Sequence, residues 1–130
     1  MPTIDLTTQR VDGAQPPGQA IPAGPWRLGD RIIYTDDVSF PGQPSVGKQH
    51  GFVTVVRRLG AGGATFQNET TFVLPEGQIT AQGIFDAALI AQFTLAITGG
   101  TNKYEKIQGV IEGTVRHNTN PISGQFRIKY

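Results

Sequence analysis

No window of a dozen residues in this 130-residue chain carries the apolar spacing of an amphipathic helix. Short runs of alternating polar and apolar residues recur instead. Gly and Pro, 17 and 9 of them, about a fifth of the chain, stand as punctuation between the runs. This pattern limits the fold more than any single motif does, and it predicts an all-β domain. The best helical stretch, FDAALIA at 85–91, is short and merges into the next alternating segment.

Eight strands are expected, over residues 3–9, 30–37, 49–58, 64–74, 78–85, 90–98, 107–116 and 122–130. Turn residues separate nearly every pair, so most neighbours should be antiparallel hairpins. Residues 11–27 form a long Pro/Gly-rich connection carrying Ile21 and Trp26. A loop of that length is usually functional or disordered, and it reads either as a lid or as a tether across a barrel end.

Such strands bury one face each by closing into a barrel or stacking as a sandwich. In 64–74, Asn68 and Thr70 share a side with Phe66, Phe72 and Leu74. In 90–98, Phe93, Leu95 and Ile97 share a side, and in the last strand Ile122, Phe126, Ile128 and Tyr130 do. Val53, Val55 and Val110 are expected to face outward, where they would support a homo-oligomer, dimer or trimer, with a monomer still open. A closed barrel of roughly eight strands holds either packed side chains or one small ligand.

Several function classes are excluded. The net charge is +1, from 11 basic and 10 acidic residues, so neither nucleic acid nor an anionic membrane is an expected partner. Without cysteine there are no disulfides or thiolate metal sites. His50 and His117 are the only imidazoles, so a His-rich metal centre is excluded; no metal site and no cofactor are expected. The N-terminal residues lack the apolar core of a signal peptide and no stretch approaches a membrane span, so the expected location is cytoplasmic.

Gly99-Gly100-Thr101 could bind a phosphate or turn a corner. No Lys-Ser/Thr pair follows it and no helix is expected after it, so it reads as a corner. Gly is expected there for positive φ, with Tyr104 packing inward nearby.

FTLAITGGTNKYEKIQGVIEGTV (93–115) resembles the late segment of the allene oxide cyclase and dirigent families. LGDRIIYTDD (28–37) resembles their second strand, and VGKQHGF (46–52) is similar to a dirigent motif. FQN at 66–68 followed by GQITAQG at 77–83 is similar to their fourth and fifth strands. The resemblance spans roughly residues 28–116 and implies one eight-stranded antiparallel barrel over 1–130, with a central apolar pocket. Both plant families are usually trimers.

The functional residues transfer only in part. Asp36-Asp37 match the dirigent acidic pair, but Lys48 and Gln108 stand where dirigent proteins have Arg, and Lys103 precedes Tyr104 where an acid is expected. Tyr34, Asp36 and Tyr104 are the candidate catalytic residues. A carboxylate inside an apolar barrel would have a raised pKa and could move a proton. The opposing reading puts Asp36 and Asp37 in a solvated turn at the strand end. Substrate contacts are expected from Trp26, His50, Phe52, Phe66, Asn68, Thr70, Phe72, Phe93, Leu95, Phe126 and Tyr130. For His50 a half-exposed strand residue is the commoner case, and His117, in HNTNP, reads as a solvated turn residue.

Small bacterial barrels that cyclise polyketide intermediates are similar in architecture. The implied function is a cofactor-independent cyclase of natural-product biosynthesis, closing a ring on an apolar, polyketide-like linear precursor stereoselectively. A pericyclic, Diels–Alder-type closure is one form of that reaction. The alternatives are a dirigent-like or lipocalin-like binding protein, an allene-oxide-cyclase-type isomerase, and a fully packed structural barrel.

Overall fold

The structure is a computed structural model and describes residues 2–16 and 24–130. Eight strands follow one another in chain order: β1 (Thr3–Ala14), β2 (Arg31–Ser39), β3 (Ser45–Arg58), β4 (Ala64–Leu74), β5 (Gly77–Asp86), β6 (Ile90–Gly100), β7 (Val110–Arg116) and β8 (Ser123–Lys129). Each pairs antiparallel with the next, and β8 pairs with β1, so the sheet closes into a barrel and leaves no free edge. The all-β expectation holds, and residues 85–91 form the end of β5, a turn and the start of β6.

Several boundaries differ from the sequence expectation. β1 continues to Ala14, past a register shift between Arg10 and Asp12, so the long connection is shorter than expected. β3 begins at Ser45, and β7 begins only at Val110. Part of the segment read as a lid, residues 17–23 with Ile21, lies outside the described residues. Trp26 is described and buried.

Alternation sorts the interior. Leu6, Thr8 and Arg10 of β1 point inward, as do Ile32, Tyr34, Asp36 and Val38 of β2. β4 turns all six of its alternate residues, Ala64 to Leu74, into the core. β3 corrects an expectation: Val53 and Val55 are buried inside with Gln49, which puts His50 and Phe52 on the outer face. Strand parity forces this, because residues one apart on a strand point to opposite sides.

The inward residues form two clusters. One unites Leu6, Val38, Phe72, Leu74, Ile79, Leu95, Ile111 and Ile128 at one end of the barrel. The loop after β6 caps that end. Its single turn of 3-10 helix, Asn102–Tyr104, drops the buried Tyr104 ring onto the cluster. The Gly-Gly-Thr stretch is the hinge of this cap. A Cβ on Gly100 would lie 2.3 Å from the Tyr104 carbonyl oxygen, so glycine is needed for close approach; Gly99 and Gly100 are not among the residues with positive φ. Thr101 N–H donates to the Gln78 carbonyl at 2.9 Å, and Thr101 Oγ1 accepts from Gln78 N–H at 3.0 Å. The stretch is therefore a corner tied to β5.

The second cluster, Trp26, Ile32, Tyr34, Val53, Val55, Ala64 and Phe66, lies toward the opposite end. The barrel is not filled there.

Candidate functional site

A cavity of about 160 Å³ opens at this second end, lined from β1 to β8. Its two sides differ in chemistry. Phe66, Phe85, Phe93 and Phe126 make one wall, in ring contact in that order with centroids 5.7, 4.8 and 6.1 Å apart. Each such pair contributes about 0.5–1.5 kcal/mol beyond simple burial. Glycine leaves room for the rings: a Cβ on Gly113 would lie 2.6 Å from Phe93 and 2.7 Å from Phe126.

The other wall is polar and comes from β1–β4. Arg10 Nε donates to Asp36 Oδ1 at 2.5 Å, with the Asp36 side chain almost fully buried. The Arg10 guanidinium also lies over the Tyr34 ring, 4.9 Å from its centroid. Tyr34 hydroxyl donates to Asn68 Oδ1 at 2.7 Å. Gln49 stands directly across from Asp36 in the β2–β3 register and donates through Nε2 to Thr70 Oγ1 at 2.9 Å.

Tyr34 fits only because its β3 partner is Gly51. A Cβ there would lie 2.5 Å from the phenol oxygen and 2.8 Å from the Glu69 carbonyl oxygen. The ring therefore lies flat over bare backbone and aims its hydroxyl at Asn68. Burial pushes the Tyr34 phenol up to about 12. It stays protonated over the physiological range and acts as a donor, not a base.

Burial also raises the Asp36 carboxyl, against the opposing pull of Arg10, with the nearby Asp37 charge adding to the rise. Asp37 itself faces outward and pairs with Lys48. The solvated-turn reading of Asp36 is thus corrected. A buried ion pair is a poor stabilising device, since apolar residues of equal volume often do as well or better by about 1–4 kcal/mol. Its position at a cavity, with a perturbed carboxyl, marks a candidate reactive site.

His117 is likewise not a solvated turn residue. It lines the cavity, and its Nδ1 lies 3.0 Å from the Ala88 carbonyl oxygen. Burial is the largest effect on the ring and lowers its pKa, which favours the neutral form. With Nδ1–H donated to Ala88, Nε2 is left as an acceptor.

The residues singled out from the sequence separate into four groups. Tyr34, Asp36, Phe66, Asn68, Phe93 and Phe126 meet in the cavity. Thr70 sits behind it, holding Gln49, and Trp26 backs Phe66 edge-on at 5.2 Å. Tyr104, Phe72, Leu95 and Tyr130 belong to the capped end, so the structure does not bring Tyr104 to Asp36. His50 and Phe52 face outward, His50 on Thr35 Oγ1 at 3.0 Å and Phe52 beneath the Arg31 guanidinium. The lining residues not among the sequence candidates include Arg10, Gln49, Phe85 and His117. Parity from Leu6 through Thr8 would have reached Arg10, had β1 not been ended at Gln9.

No group of three or more metal-ligating side chains occurs among the described residues, and no helix is long and apolar enough to cross a membrane.

The family description "Allene oxide cyclase barrel like domain" matches residues 4–125. Among solved structures, a pyocyanin demethylase superposes with a TM-score of 0.76 at 26% identity, over 98% of this chain and 99% of that one. An exo-specific intermolecular Diels-Alderase gives 0.69 at 14% identity, over 97% and 96%. A pterocarpan synthase dirigent protein gives 0.68 at 16% identity, over 98% and 92%. No curated protein sequence matches.

Proposed function

This chain belongs to the allene oxide cyclase barrel-like family, and from that premise we propose that it is an enzyme that closes a ring on a conjugated small molecule held in the open end of the barrel. The observation that carries this reading is the two-sided cavity, with rings from β4, β5, β6 and β8 facing polar groups from β1–β4. A flat conjugated segment stacks on the phenyl wall. An oxygen at its edge takes hydrogen bonds from the Asn68 amide and Arg10, both held in place by their own partners. Fixed donors of this kind stabilise charge that develops on a carbonyl as bonds form. Confinement supplies the larger effect, by holding the reacting ends in a near-attack arrangement. Asp36, with its raised pKa, is placed to take or return a proton when the closure needs one.

Cavity size limits what is enclosed. A cavity of roughly 150 Å³ takes a benzene ring, so about 160 Å³ seats the reacting ring and leaves the rest of the substrate in the mouth.

A second reading is demethylation of a flat aromatic compound. It is favoured by the 26% identity to pyocyanin demethylase, over nearly the whole of both chains. One experiment separates the two. The purified protein is incubated with linear conjugated polyene ketones and, separately, with pyocyanin, and products are resolved by chiral chromatography and mass spectrometry. A product of unchanged mass and single handedness supports ring closure. A product lighter by one methylene from pyocyanin supports the second reading. Binding of either compound without any product makes the protein a carrier and ends both.

A further inference from the structure

We infer that His117 is the catalytic base of this cavity, with Nε2 taking a proton from the carbon beside the ligand carbonyl that Arg10 and Asn68 hold. The inference rests on the proposed conjugated-ligand site and narrows its substrates to ketones that enolise.

The inward residues of β7 are Ile111, Gly113 and Val115. The same parity carries His117, two residues on, over the cavity that it lines. Its backbone N–H donates to the Leu89 carbonyl at 2.7 Å, which continues the β6–β7 ladder one step past the Ile90–Arg116 pair. Its Nδ1 meets the Ala88 carbonyl at 3.0 Å. Two bonds to consecutive rim residues fix the ring, and the carbonyl on Nδ1 fixes the tautomer. Nε2 is then the ring's free polar atom. Among the described residues, the unpartnered side-chain atoms closed to a water-sized group are Thr8 Oγ1, Trp26 Nε1 and Gln49 Oε1. Nε2 is not one of them, so a small group reaches it.

The other titratable groups on the cavity wall are Arg10 from β1 and Tyr34 and Asp36 from β2. Arg10 stays charged and has no lone pair to offer. Tyr34, pushed up to about 12 by burial, stays protonated and donates to Asn68. Asp36 is already committed to Arg10. Burial, and then the Arg10 charge, lower the His117 pKa against the bonds to Ala88 and Leu89, so the ring is neutral near pH 7. His117 therefore offers an uncommitted basic atom beside donors for a developing oxyanion. As the proton moves to Nε2, the C–H electron pair forms the enolate double bond and the carbonyl pair moves onto oxygen, toward Arg10 and the Asn68 amide. The imidazolium returns the proton to a carbon of the product, so the overall change is an isomerisation.

The probe is 2-tetralone, a bicyclic ketone that enolises, with the full chain in heavy water. Proton NMR reads exchange of its α-hydrogens, and a fluorescence titration reads its binding. The protein should accelerate exchange roughly a hundredfold over buffer, the usual worth of a positioned base. The rate should fall only as pH drops below the ordinary imidazole range, a limb that a merely structural role would not give. His117→Gln, which keeps a donor for Ala88, should bind the ketone about as well and lose the acceleration. His117→Asn serves if the glutamine variant does not fold. Binding without acceleration by the unaltered protein overturns the inference and leaves the site standing. Acceleration that persists in folded His117 variants, and is lost in Asp36→Asn, moves the base to Asp36 and overturns it as well. Failure of 2-tetralone to bind removes the conjugated-ligand site, and this inference with it.

Discussion

The two ends of the barrel are built from the same eight strands by the same alternation, but with different inward residues. At the capped end, Leu6, Val38, Phe72, Ile79, Leu95, Ile111 and Ile128 are buried almost completely and pack under Tyr104. At the open end the inward positions include Arg10, Tyr34, Asp36, Gln49 and Asn68 beside rings that border a cavity. Fully burying one large apolar side chain contributes roughly 1.5–3 kcal/mol, whereas polar groups at best recover their desolvation through partners. The capped end therefore stabilises the fold, and the open end holds a fixed polar arrangement that a packed core would not need. Neither end could do both tasks, because an interior filled to native density has no room for a ligand.

The sharpest way to break this contrast is to truncate one ring at each end. Phe72→Ala should cost about 4 kcal/mol of unfolding free energy, for lost contacts and a new cavity. Phe85→Ala, whose ring already borders open space, should cost about 1–2 kcal/mol and weaken aromatic ligands instead. Urea unfolding of both variants measures the difference, and equal losses would show that the two ends do not divide the work.

Next in size is Arg10→Met, at about 3 kcal/mol near neutral pH, because it strands a buried carboxylate. The loss depends on pH, with a definite sign. Burial raises Asp36 in the folded protein, so the folded state favours the protonated carboxyl. That contribution is present below the ordinary carboxylate range and is lost as pH rises through the raised folded value. Variant and parent should converge below the ordinary carboxylate range, where the carboxyl is protonated and Arg10 has no charge to offset. They should separate as pH rises to 7. A gap that is constant with pH would mean that Arg10 acts only through packing.

Gly51→Ala should cost about 2 kcal/mol by pushing the Tyr34 ring off its backbone seat. Ligand binding should suffer more than stability, since Asn68 loses the partner that orients it. Unchanged affinity for a cavity ligand would remove Tyr34 and Asn68 from the site.

The smallest expected loss is about 1 kcal/mol for Tyr34→Phe, one hydrogen bond. Its signature is spectroscopic. The phenolate step near 12 in an alkaline ultraviolet titration should vanish.

Much of the capped end was legible from residue order. Leu74, Ile97 and Ile128 fall on apolar faces that a period of two identifies, and β4 carries that alternation through all its residues. The open end was only half legible. Phe66, Asn68, Phe93 and Phe126 sit in clear alternation, but Arg10 lies just beyond an apparent strand end and Gln49 has no apolar neighbour until Val53. Tyr104, a candidate catalytic residue together with Asp36, does pack inward near the Gly-Gly-Thr corner as expected. The cap takes it to the far end. His117 looked like a turn residue by composition, and only the β6–β7 pairing brings it to the Ala88 carbonyl.

The sequence by itself determined the class of fold, through alternation and Gly/Pro spacing, and it determined the inward face of β4, β6 and β8. These are local properties: a residue's side of a strand follows from its neighbours in the chain. The tertiary structure alone decided which inward residues share a height along the barrel. Pairing register sets Asp36 against Arg10 across β1–β2 and against Gln49 across β2–β3. Register depends on contacts between residues far apart in the chain, and a period of two carries no information about it.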